Sequence, residues 1–88
     1  MSRAASEEHR KEARLRALKG GKVVFNQHAS VIDCVVRDLS GHGARLQVTT
    51  SVGIPERFDL VFDADNTSRS CRLVWRSDQQ VGVEFVSA

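Results

Sequence analysis

From Lys22 onward, apolar and polar positions fall into short runs of period two. "KVVF" at 22–25 and "VIDCVV" at 31–36 are rich in β-branched residues. "ARLQVT" at 44–49 sets Ala44, Leu46 and Val48 against Arg45, Gln47 and Thr49, and "RFDLVF" at 57–62 aligns Phe58, Leu60 and Phe62. "SCRLVWR" at 70–76 places Cys71, Leu73 and Trp75 opposite Arg72, Val74 and Arg76. "VGVEFV" at 81–86 aligns Val81, Val83 and Phe85 against Gly82 and Glu84. This periodicity predicts six strands. The breaks between them ("NQHAS", "SGHG", "SVGIPE", "DADNTS", "SDQQ") are turn-like, so successive strands run antiparallel. So few residues, with one apolar face per strand, bury that face most simply by closing the sheet, which also leaves no exposed edge. The expected fold class is all-β: a small six-stranded antiparallel β-barrel with a flexible basic N-terminal arm. Phe58, Phe62, Trp75 and Phe85 follow the inward period and are expected in the core.

Residues 4–18 are rich in Ala, Glu, Arg, Lys and Leu, which favours some helical content. Their apolar stripe is weak, limited to Leu15, Leu18 and alanines, and Gly20-Gly21 is expected to end the segment. The chain therefore divides into an arm at 1–19 and a barrel at 20–88, with no helix expected after residue 20. At 88 residues the core is modest and so is the expected stability. Net charge is only +2, but residues 1–19 carry six basic side chains against three acidic ones. The positive charge thus sits ahead of a near-neutral body, an arrangement suited to an anionic partner.

Several function classes are disfavoured. The start "MSRAASEEHRKEAR" has no apolar region of the kind a secretory signal needs, and no apolar run approaches the roughly 18 residues of a membrane span. Cys34 and Cys71 lie far apart inside apolar stretches, without a CxxC pair, and read as reduced core thiols of a cytosolic protein. His9, His28 and His42 have no metal-ligand spacing, and neither the thiols nor Ser40 sits beside a base. No enzyme, metal or cofactor is expected.

Two motifs carry the remaining chemistry. In "RKEAR", Arg10 and Arg14 are four apart, so one turn of chain aims both guanidinium groups at one ligand. The planar fork of arginine pairs bidentately with phosphate or with guanine O6 and N7. In "DLSGHG", Asp38 offers an acceptor pair matching the N1–H and N2–H₂ edge of guanine, Ser40 donates or accepts, and Gly43 permits close backbone approach or positive φ. A turn of this composition also caps its own backbone without any ligand.

Together, "RKEAR" at 10–14 and "DLSGHG" at 38–43 resemble the signature of the PilZ domain family, the bacterial cyclic di-GMP receptors: RxxxR, then (D/N)xSxxG some 20–30 residues on. The resemblance continues through "GARL", "FDLVF", "CRLVWR" and "VGVEF". It implies a six-stranded antiparallel barrel, in agreement with the strand count. It also implies that Arg10 and Arg14 grip phosphates and guanine from the arm, while Asp38 and Ser40 contact guanine and phosphate from the barrel and Gly43 keeps that surface open. A bacterial, cytoplasmic receptor is implied, whose arm orders over the barrel on binding and is read by a protein effector. The chain stops at Ala88, where many members continue with a helix, so a stand-alone domain is expected. His9 stands where the family often has another arginine, and Arg37, Arg45 and Arg76 are candidates to supplement the site. The alternatives are a PilZ-like interaction module that binds no nucleotide and a small nucleic-acid-binding barrel. The near-neutral body and inward aromatics disfavour the latter.

Overall fold

A computed structural model of the chain describes residues 15–86. Its six strands are β1 (Leu15–Phe25), β2 (Ser30–Leu39), β3 (Gly43–Gln47), β4 (Arg57–Phe62), β5 (Ser68–Arg76) and β6 (Gln80–Phe85). Every neighbouring pair is antiparallel, and the order β1-β2-β3-β6-β5-β4 closes into a barrel when β1 meets β4, with Gly21 opposite Phe62 and Val24 opposite Asp59. All six segments with period-two alternation are strands, and no helix occurs among the described residues.

The inward positions form one core: Val23, Cys34, Val36, Leu46, Val48, Phe58, Leu60, Cys71, Val81 and Val83, joined by Ile54 from the β3–β4 connection. Each such aliphatic or aromatic side chain contributes about 1.5–3 kcal/mol by leaving water. Both thiols are free and buried, as their sequence context predicts, and burial pushes each up to about 12. At the end of the barrel opposite the "DLSGHG" turn, the Ser51 hydroxyl donates to the Ser77 carbonyl at 2.5 Å. There the Arg76 guanidinium donates to the Ser51 and Ile54 carbonyls, each at 2.6 Å.

The first strand begins earlier than the sequence suggests. Gly20 and Gly21 do not end an arm; they lie inside β1, so residues 15–19 belong to the barrel and the boundary expected at 19 and 20 falls within a strand. β2 supplies the reason, because its ladder runs on to Leu39 and gives the backbone of Leu15 and Arg16 partners at Leu39 and Asp38. Between Arg16 and Lys19 the register shifts, and Leu18 there takes φ 48°. The rest of the expected arm, including Arg10 and Arg14, lies outside the described residues.

Two further register shifts change which side chains face out. One lies between Val36 and Asp38 on β2, the other between Leu73 and Trp75 on β5. A bulge inserts one extra residue and reverses the alternation beyond it. Trp75 is therefore not in the core with Cys71 and Leu73: it faces outward and is 44% exposed.

Candidate functional site

The "DLSGHG" segment closes the β2–β3 hairpin. Ser40 N donates to the Gly43 carbonyl at 2.9 Å, and the Ser40 hydroxyl accepts from His42 N at 3.1 Å and Gly43 N at 3.2 Å. Ser40 thus holds the turn's own backbone, the ligand-free role that its composition allows. Gly43 serves by close approach and not by positive φ, since an added Cβ would fall 2.1 Å from the Val83 carbonyl oxygen. Gly41 meets nothing within 4 Å.

Asp38 owes its position to the β2 bulge. Strict alternation from Cys34 and Val36 would aim it into the core; the extra residue, Arg37, sends Leu39 inward against the core and leaves Asp38 opposite Arg45. The pairing continues across the wall: Arg16 opposite Asp38, Asp38 opposite Arg45, Arg45 opposite Gly82, and Gly82 opposite Trp75. One cross-strand row therefore spans β1, β2, β3, β6 and β5. Arg45 donates from Nε to Asp38 Oδ2 at 2.5 Å, and its Nη2 is 2.5 Å from the same oxygen. Arg45 Nη1 reaches Gln80 Oε1 at 3.3 Å.

Along this row lies a groove of about 260 Å³, lined by Ser40, His42, Gly43, Arg45, Trp75, Gly82 and Glu84 among others. The Trp75 indole forms one side, over the bare backbone of Gly82. Glu84 accepts from Arg72 Nε at 2.8 Å and from its Nη2. Glu84 in the groove and Asp38 behind its Arg45 wall are thus each paired with an arginine, so this face is nearly charge-balanced and carries one exposed aromatic side chain. This arrangement suits a flat, hydrogen-bonding ring.

The PilZ domain family model matches residues 8–88, which include both motifs and the whole barrel. The chain belongs to the PilZ domain family. PilZ domains are binding domains of the cyclic di-GMP receptor family and not a known family of enzymes. No curated protein matches the chain. Among the described residues, no helix is long and apolar enough to cross a membrane.

The residues singled out from sequence have separate placements in this PilZ domain. Asp38, Ser40 and Gly43 come together at one end of β2 and β3. Arg10 and Arg14 lie outside the described residues. Arg37 donates to Gln47 Oε1 at 2.6 Å, and Arg76 is committed to loop carbonyls at the other end of the barrel. Of the supplementary arginines only Arg45 borders the groove. Trp75 and Gly82 escaped sequence reasoning as site residues. The available signal was Gly82 itself, because a glycine inside a strand marks a close approach, and here the indole is what approaches.

Proposed function

We propose that this PilZ domain is a receptor for cyclic di-GMP, with Arg10 and Arg14 supplying cations from the N-terminal arm and Asp38, Ser40 and Gly43 forming the barrel half of the site. The observation that carries this reading is the register of β1 on β2. Leu15 lies opposite Leu39 and Arg16 opposite Asp38, so β1 begins beside the "DLSGHG" turn. Arg14 immediately precedes Leu15. Arg10 is five residues upstream of Leu15, a reach of about 18 Å at ~3.5 Å per residue. Connectivity alone therefore allows both motifs to reach one ligand, which supports this reading.

The charge pattern supports the same division of labour. Arg45 and Arg72 are already paired with Asp38 and Glu84, so the two phosphates of the ligand draw on Arg10 and Arg14, whose forks bind phosphate bidentately. Asp38 accepts from a guanine edge, and the Trp75 indole offers a face for a purine to stack on. A single exposed aromatic is one base platform, whereas binding of single-stranded nucleic acid relies on several. Bridging the arm to the barrel wall is the change that a protein effector would read.

Calorimetric titration with cyclic di-GMP, with GTP as control, tests the reading. Saturable binding that GTP does not reproduce is expected, weakened about tenfold or more in Arg10→Ala, Arg14→Ala and Asp38→Ala, since charge-assisted bonds contribute about 1.5–3 kcal/mol each. Absence of heat and of competition at high ligand concentration would instead assign the domain to protein interaction alone.

A further inference from the structure

We infer that Arg45 is a positioning residue that acts on the ligand through Asp38; the inference rests on the receptor reading above. Two of its donors, Nε and Nη2, converge on one carboxylate oxygen, Oδ2, at 2.5 Å each. A carboxylate oxygen has about two lone-pair sites, so Oδ2 is fully used. Oδ1 lies outside this contact with Arg45. The Asp38 side chain is only 16% exposed, and the Arg45 guanidinium is tied on its other side to Gln80. The carboxylate is thereby held in place through Oδ2 at the edge of the groove that Arg45 lines.

This arrangement answers a problem of charge. Cyclic di-GMP is a dianion, which an unpaired carboxylate would repel. Arg45 cancels the charge of Asp38 and leaves an acceptor for a neutral N–H edge. Guanine carries such donors at N1 and N2, whereas adenine has an acceptor at N1. Arg45 therefore governs base selectivity by fixing Asp38, and the phosphates are left to the arm. Neither residue was placed by a local turn: the β2 bulge and the β2–β3 register brought them together.

A double-mutant cycle tests this. Wild type, Arg45→Ala, Asp38→Asn and the double variant are titrated with cyclic di-GMP and cyclic di-AMP, and their melting temperatures are recorded. Arg45→Ala is expected to weaken cyclic di-GMP about tenfold and to narrow the preference over cyclic di-AMP. In the Asp38→Asn background the same change should cost less than about twofold, because coupled residues are non-additive. Arg45→Lys keeps the charge but not the fork, should restore affinity only in part, and replaces the alanine variant in the cycle if that variant does not fold. Additive losses, or an unchanged base preference, would overturn the inference while leaving the receptor reading intact. Absence of wild-type binding would overturn both.

Discussion

Trp75 lies flat enough on Gly82 that a Cβ added to the glycine would sit 2.1 Å from the indole Nε1. The two are register partners on β5 and β6, and the bulge between Leu73 and Trp75 is what brings the indole onto the outer wall, where Gly82 already faces. Gly82→Ala should therefore lift the indole without opening the barrel. Trp75 is the chain's single tryptophan, so its fluorescence emission reports the change directly. A red shift is expected, with cyclic di-GMP affinity lowered about tenfold, the scale of one lost base–aromatic stack. Unchanged emission and affinity would mean that the indole is not a wall of the site.

The two glycines of the turn should behave differently. Gly43→Ala forces a Cβ to 2.1 Å from the Val83 carbonyl oxygen, a backbone atom that no rotamer change can move. A loss of about 3 kcal/mol or more is expected, at the upper end of overpacking costs. Gly41→Ala meets nothing within 4 Å and should stay within about 0.5 kcal/mol of wild type. Urea denaturation of the two variants gives the comparison.

Arg76 is a structural residue. Its guanidinium secures the Ser51 and Ile54 carbonyls at the end of the barrel away from the motif. Arg76→Ala should lower stability by about 1–2 kcal/mol, as expected for charge-assisted hydrogen bonds at a partly exposed position. Ligand affinity, measured on the folded fraction, should be unaffected; a marked loss of affinity would extend the site across the barrel.

The thiols set an alkaline limit. Burial raises Cys34 and Cys71 from 9.0 to about 12. An acid whose folded value lies above its unfolded one stabilises the fold fully below the unfolded value. That contribution is lost as pH rises from about 9 towards about 12, because the unfolded chain gives up its protons first. Denaturation midpoints should fall from pH 8 to pH 10, and native protein at pH 8 should resist alkylation until unfolded. Rapid labelling of the native state would contradict the burial of both thiols.

The strands were legible in the sequence because each segment obeys the period of two imposed by the pleat, and that period also assigned Leu46, Leu60, Val81 and the thiols to the core. The chemistry of "DLSGHG" was legible as well, since turn residues and acceptor side chains are local properties. The start of β1 was not. Its sequence favours helix, and only the partner groups of β2 make Leu15 and Arg16 a strand.

By itself, then, the sequence determined the number of strands, most of the core (Trp75 excepted) and the residue types of both motifs. Tertiary structure decided which of those residues share a surface. Alternation carried forward from Val36 and from Leu73 would bury both Asp38 and Trp75. A bulge on each strand, one extra residue accommodated only when the ladders of β2–β3 and β5–β6 close, turns both outward onto the same row. Register across strands distant in sequence depends on pairing energies that no local window contains, and it is that register that joins Asp38, Arg45, Gly82 and Trp75 into one wall.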